Sequence, residues 1–251
     1  MKVQLLSDLH NEFYRPDASP KIERGGADLI VLAGDIDVGM DGLVWANKEA
    51  ERLDKRILYV AGNHEFYHHD LSLLNEMRAF AAGSGRLHFM ENEELILGDV
   101  RFLGCTLWTD YRAAGDPVLS SMMEVQQHLS DHHVVRNGER LFLPEDALAF
   151  HAESRAWLEG KLNDSFAGKT VVVTHHAPHL LCRHPSFPLN AIATAFLSDL
   201  NDLVEMADVW CFGHTHANLD AEVGMCRLVS NQRGYPMEGV KGFEPVFVFT
   251  V

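Results

Sequence analysis

The sequence predicts an α/β protein in which a largely parallel sheet with covering helices gives way to a second sheet. Three observations carry that expectation. Short apolar runs at Val3–Leu6, Leu29–Ala33, Ile57–Ala61, Val171–Thr174 and Val209–Phe212 read as buried strands. Helical spacing of apolar residues follows the second and third of them, the alternation that builds parallel sheets. Each run also leads directly into a block of potential metal ligands: Asp8-Leu9-His10, Gly34-Asp35, Gly62-Asn63-His64-Glu65, His175-His176 and Gly213-His214-Thr215-His216. In an open α/β sheet, residues just past the carboxyl ends of the strands meet in one crevice. Carboxylates, an amide and imidazoles from separate blocks would then share one place, the layout of a two-metal hydrolytic centre.

The elements follow in order. After Leu29–Ala33, the residues Leu43, Val44, Ala46, Ala50 and Leu53 mark a helix; Leu71, Leu74, Met77, Phe80 and Ala81 mark another after the third strand. Arg86–Met90, Glu94–Leu97 and Val100–Cys105 then read as consecutive strands with no helix between them, which turns the chain into a second sheet. Pro117–Leu129 and Pro144–Leu162 read as helices opened by prolines. The second carries Leu148, Ala152, Trp157 and Leu158 toward the interior, and polar Ser130–Arg140 reads as a loop. This helical insert, about residues 106–162, has no metal block of its own and is expected to cap the site, a purely structural helical pair being the alternative. Pro185–Met206 is partly helical, and Asp220–Val223, Cys226–Ser230 and Val246–Val251 read as antiparallel strands. No repeat or linker divides residues 1–251, so a single domain is expected.

Composition narrows the function. A formal charge of -15 argues against an extended nucleic-acid surface, because binding a phosphate backbone requires Lys and Arg. It leaves room for a small phosphate ester, since two bound cations would invert the local field. The cysteines Cys105, Cys182, Cys211 and Cys226 lack metal or disulfide-framework spacing and are expected as reduced, mostly buried thiols. The N-terminal apolar run is too short for a signal-peptide core, and no stretch approaches the roughly 20 apolar residues that span a bilayer. A cytoplasmic location without membrane attachment is expected; the sequence is silent on oligomeric state.

In an extended segment residues two apart point to the same side, so Asp8 with His10 and His214 with His216 can each present paired ligands. The glycines before Asp35, Asn63 and His214 are expected to relax the backbone where a strand turns into the site. Asp and His donors without thiolates suit Mn, Fe or Zn. His68, His69, His132 and His133 lie in polar stretches and are expected in solvent. Trp108 and Tyr111, at the entry to the insert, are candidate substrate-binding walls, with core packing the alternative for Trp108.

The ordered set Asp-x-His, Gly-Asp, Gly-Asn-His-Glu, His and Gly-His-x-His resembles the calcineurin-like metallophosphoesterase superfamily from Asp8 to His216. The resemblance implies a β-sandwich of two mixed sheets flanked by helices. It implies one metal on Asp8, His10, Asp35 and His216, and a second on Asp35, Asn63, His175 and His214, with Asp35 shared. His64 would face the substrate as the catalytic residue; His176 would lie behind the ligands or face the substrate. Two metal ions roughly 3.5–4 Å apart lower the pKa of a bridging water and clamp the phosphate oxygens, so hydroxide attacks directly. Protonated His64 would donate to the leaving oxygen. The chain departs from the protein phosphatases of the superfamily at Gly34-Asp35-Ile36-Asp37-Val38-Gly39: the arginine that binds substrate phosphate there is missing. So is the acid that orients the catalytic histidine, with Asp37 one position early for that task. The chain looks more like the small bacterial-type phosphoesterases. A nuclease of the superfamily and a non-catalytic scaffold are the competing readings, and a scaffold has no use for His64.

Overall fold

The computed structural model describes residues 1–14 and 20–251. Strand β1 (Lys2–Leu6) is followed by β2 (Leu29–Ala33), helix α1 (Asp41–Leu53), β3 (Arg56–Val60), α2 (Leu73–Ala82) and β4 (Leu87–Phe89). These strands pair in parallel in the order β1-β2-β3-β4. The hairpin β5 (Glu93–Leu97) and β6 (Val100–Cys105) begins the second sheet, as the helix-free run of strands implied. Then come α3 (Val118–His128), α4 (Asp131–Val134), the two-residue strands β7 (Arg136–Asn137) and β8 (Arg140–Leu141), and α5 (Pro144–Asn163). Strands β9 (Lys169–Thr174), β10 (Val209–Cys211), β11 (Asp220–Val223) and β12 (Cys226–Val229) complete the second sheet, with α6 (Asn201–Val204) before β10. Strand β13 (Val248–Thr250) returns to the first sheet, antiparallel to β1. Among the described residues the two large sheets run β13-β1-β2-β3-β4 and β11-β12-β10-β9-β6-β5.

Both sheets are mixed, and they pack face to face. Alternate residues of each central strand point inward: Val3, Leu5, Val31 and Val60 meet Phe102, Val171, Val173 and Cys211 in one buried cluster. The opposite face of the first sheet, with Ile30, Leu32, Ile57 and Tyr59, is covered by Leu43, Ala46 and Ala50 of α1 and by Met77 of α2. On the second sheet Leu103, Val172, Trp210 and Leu228 pack against Leu158 and Leu162 of α5. Central strands therefore bury both faces, which is why they read as continuous apolar runs rather than alternating ones.

Several expectations are corrected. The segment between α3 and α5 is an ordered turn of helix and a small hairpin, not a loop. The buried stripe of α5 runs Ala147, His151, Ser154, Leu158 and Leu162, while Ala152 is exposed. Two polar residues occupy that stripe, so apolar spacing alone misplaces the face. The carboxyl half of α5 belongs to the layer that covers the second sheet, leaving α3 and α4 beside the cleft. His132 is buried rather than solvated, its ring stacked on Phe142 at 5.6 Å. The closing strands are only partly antiparallel: β12 pairs with β11 in that sense but runs parallel to β10. All four cysteines are free and buried, and no helix among the described residues is long and apolar enough to cross a membrane.

Candidate metal centre

The five ligand blocks leave β1, β2, β3, β9 and β10 at their carboxyl ends and lie against one another. Backbone bonds continue past the strands and lock the blocks together: Asp8 N–H donates to Gly34 C=O at 3.0 Å, His10 N–H to Asp35 C=O at 3.0 Å, and Gly213 N–H to His175 C=O at 2.9 Å. Buried Glu65 staples two blocks. Its carboxylate accepts from the N–H groups of Asp35 (3.1 Å), Ile36 (2.9 Å) and Gly62 (2.6 Å) and from the Tyr59 hydroxyl (2.7 Å). A buried carboxyl group accepting four bonds fixes the loops that carry Asp35 and Asn63, and burial with the nearby Asp35 pushes its pKa up to about 7. The glycines serve two different needs. Gly34 has φ +87°, whereas Gly62 keeps an ordinary backbone and is small because a Cβ would overlap Asp35 Oδ1.

Asp8 and His10 do not converge from an extended segment. Asp8, His10, Asp35, His214 and His216 all have positive φ, between 46° and 70°. This region is sparsely populated by non-glycine residues, and such strain concentrates at functional positions. Left-handed turns, not strand periodicity, aim the side chains inward, and they send His214 and His216 to different clusters.

The donor atoms form two groups. In the first, His10 Nε2 lies 3.1 Å from His216 Nε2, with Asp8 Oδ1 3.4 Å from His216 Nε2 and Asp35 Oδ2 4.0 Å from His10 Nε2. The opposite ring nitrogens are engaged: His10 Nδ1 donates to Glu12 at 3.0 Å and His216 Nδ1 to Glu238 at 2.6 Å. With each Nδ1 bonded to a carboxylate, the two Nε2 atoms are left facing each other, an arrangement that needs positive charge between them, a proton or a metal ion. In the second group, His175 Nδ1 donates to Ala33 C=O at 2.9 Å. Its Nε2 faces Asn63 Oδ1 at 3.1 Å, His214 Nδ1 at 3.2 Å and Asp35 Oδ1 at 3.3 Å. Asn63 is oriented by its amide nitrogen, which donates to Asp131 Oδ1 at 2.9 Å and to the Tyr67 hydroxyl at 3.2 Å. Acceptors facing acceptors in a buried place repel unless a proton or a metal ion lies between them. Asp8 Oδ2, buried and without a hydrogen-bond partner among the described residues, adds to that demand.

In the metal-free protein, protons meet that need. Burial opposes charge on His175 and His216, yet Asp35 beside His175 and Asp8 with Glu238 beside His216 hold each up to about 9. The carboxyl of Asp35 is driven well below its usual range, the surrounding imidazoles outweighing burial. Groups of Asp8, His10 and His216, and of Asp35, His175 and His214, each converge closely enough to hold a metal ion, as do His10, Asp35 and His64 between them.

His64 stands between the groups and an open cavity of about 520 Å3. Its ring stacks on Tyr67 at 4.1 Å, its Nδ1 meets Glu12 at 2.9 Å, and its Nε2 meets the Tyr235 hydroxyl at 3.2 Å. Asp37 does not orient it, because the Asp37 carboxylate is turned onto the N–H of Val38 at 2.8 Å. The other cavity wall includes Leu129, Phe187, Ile192 and Phe196.

Of the three candidate substrate contacts, Tyr111 is corrected, while Trp108 and His176 take their alternatives, core packing and a place behind the candidate ligands. Tyr111 is 1 % exposed, Trp108 4 % and His176 1 %, and none lines the cavity. Leu107, Trp108 and Tyr111 have positive φ and turn the chain inward beneath the insert. Trp108 packs between Phe142 and His176, and His176 lies behind His214 at 4.2 Å. The spacing argument missed Glu12, Tyr67, Asp131, Tyr235 and Glu238. Glu12 carried a signal, two residues after His10 in the first block; the apolar Phe187 in a proline-rich stretch marked the true wall.

The comparisons agree with this architecture. The family model described as calcineurin-like phosphoesterase matches residues 1–218. The uncharacterized protein L509 of Acanthamoeba polyphaga mimivirus is 25% identical over 229 residues, covering 83% of this chain and 79% of the viral protein. The crystal structure of phosphopantetheinyl hydrolase (PptH) from Mycobacterium tuberculosis superimposes with a TM-score of 0.72 at 16% identity, over 94% of this chain and 90% of the other, which shows a shared fold. With the family model spanning most of the chain and every candidate ligand block, the chain belongs to the calcineurin-like phosphoesterase family.

Proposed function

We propose that this protein hydrolyses a small phosphate ester at a dinuclear metal centre. Asp8, His10, Asp35 and His216 would hold one ion, and Asp35, Asn63, His175 and His214 the other. The observation that carries this reading is the pair of donor clusters, with His10 Nε2 and His216 Nε2 only 3.1 Å apart and Asp35 reaching both groups. Mn, Fe or Zn fits such nitrogen and oxygen donors. Bound there, the ions supply Lewis-acid activation of water and neutralise the phosphate oxygens.

The chain's own residues perform the rest. His64 keeps a proton more readily than a free imidazole: burial works against it, and Asp35 and Glu12 more than compensate. Its Nε2 points toward the cavity and the Tyr235 hydroxyl, so it can hand that proton to the oxygen of the departing alcohol. Tyr67 stacks on the ring and limits its rotation. Phe187, Ile192 and Phe196 give the organic part of the ester an apolar wall, which favours a bulky, partly apolar alcohol over a bare sugar.

The test separates binding from chemistry. His64→Ala should lower kcat by about a hundredfold or more for esters of poor leaving groups, and far less for nitrophenyl esters. Metal content should stay near two ions per chain. Equal losses for both ester types, or a wild-type protein that takes up no transition metal, would refute the reading.

A further inference from the structure

The family's usual acid for orienting the catalytic histidine is missing from the second block, and Asp37 is turned away onto Val38. The position is filled from elsewhere. Glu12 sits in the 3-10 turn Asn11–Phe13, directly after the first ligand block. One of its oxygens, Oε1, lies 2.9 Å from His64 Nδ1 and 3.0 Å from His10 Nδ1. The rings of His10 and His64 meet edge to face at 4.4 Å, so a single carboxylate reaches both.

We infer that Glu12 is the positioning residue for His64, and that it ties this general acid to the ligand His10 through one shared oxygen. The inference rests on the proposed role of His64 as proton donor. Its chemistry is that of the carboxylate in a histidine triad. By accepting the Nδ1 proton, Glu12 fixes the ring orientation and leaves Nε2 as the atom that exchanges a proton with the substrate. The same bond on His10 leaves Nε2 free for a metal ion, as carboxylate partners of ligating histidines do. On the far side of His64, Nε2 meets the Tyr235 hydroxyl at the cavity, so the acceptor and delivery faces of the ring are distinct. Glu12, just after the first block, thus supplies to His64 the carboxylate that Gly34-Asp35-Ile36-Asp37-Val38-Gly39 does not.

A double-mutant cycle tests this with Glu12→Gln, which keeps the shape, Glu12→Ala, His64→Ala and the combined variants. Rates are measured on an alkyl phosphodiester and a nitrophenyl phosphodiester, with metal content determined for each protein. At saturating metal, where its effect through His10 is suppressed, Glu12→Gln should cost about ten- to a hundredfold on the alkyl ester in the wild-type background and far less once His64 is gone. In metal-stripped protein, nuclear magnetic resonance should show the His64 Nδ1 proton hydrogen-bonded in the wild type and altered in Glu12→Gln. Equal cost of Glu12→Gln with and without His64 would overturn the inference, assigning the residue to His10 and metal retention alone. An unchanged His64 resonance would overturn it as well. If His64→Ala itself spares the alkyl ester, the proton-donor reading fails instead, so the two failures are distinguishable.

Discussion

Removing Asp131 should empty one half of the metal centre and spare the other. This residue lies in the insert, in α4, with no ligand block near it in sequence. Its Oδ1 accepts from Asn63 Nδ2 at 2.9 Å and from the Tyr67 hydroxyl at 2.8 Å. Together these bonds keep the amide oxygen of Asn63 turned toward His175 Nε2, 3.1 Å away. In Asp131→Ala the amide is free to rotate and offer its NH2 group, which cannot bind a cation. Loss of such an orienting partner costs about 10–100-fold in metal affinity, or about 1.4–2.8 kcal/mol at that site. The group formed by Asp8, His10 and His216 is oriented by Glu12 and Glu238 and has no bond to Asp131. Metal-buffered titration of wild type and Asp131→Ala should therefore show one affinity falling by about one to two orders of magnitude and the other unchanged. Two unchanged affinities, or two equal losses, would refute the account of how the insert supports the centre.

Asp35 faces both groups, so Asp35→Asn should weaken both ions, and metal analysis should find well under the two per chain expected of the wild type. Metal-stripped protein should lose stability as pH rises. His175 and His216 are held up to about 9 against an ordinary 6.5, so their contribution is complete below about 6.5 and disappears as pH climbs through about 9. Denaturant melts across that window, with and without metal, check this; a loaded protein should show less of the dependence, because its ligands already sit as neutral imidazoles. Phe187 is 62 % exposed at the cavity wall, so Phe187→Ala should leave stability unchanged while raising KM for bulky aryl diesters about three- to tenfold, the value of partly burying a ring. A panel that includes a methyl ester, whose KM should not move, supplies the control.

The candidate ligand set was legible because each member is local: a strand ends, a glycine or a left-handed residue follows, and the donor comes next. Strand ends gather by the logic of the fold, so Asp8, Asp35, Asn63, His175 and His214 could be assembled in one dimension without knowing any contact. The reason given for their aim was nevertheless different from the one found, since positive φ at Asp8, His10, His214 and His216 does the turning that an extended alternation was expected to do. What stayed hidden depends on where the chain travels between blocks. Tyr111 and Phe187 are both aromatic residues in loops, and only packing decides that the first is 1 % exposed and the second lines the cavity. The return of β13 to pair with β1 is a contact between the two ends of the sequence and leaves no periodic trace.

The orienting groups share that difficulty for a chemical reason. A metal ligand must present a lone pair from a narrow set of residue types, so a run such as Gly213-His214-Thr215-His216 stands out. A residue that holds a ligand needs only to accept one proton, which backbone carbonyls and any carboxylate can do. His175 uses the carbonyl of Ala33, His10 uses Glu12 and His216 uses Glu238, three solutions to one requirement. Selection on that outer layer acts on position in space rather than on identity in sequence. A lost acid in one block can therefore be replaced from another without disturbing the ligand set, and at His64 the carboxylate within reach is that of Glu12.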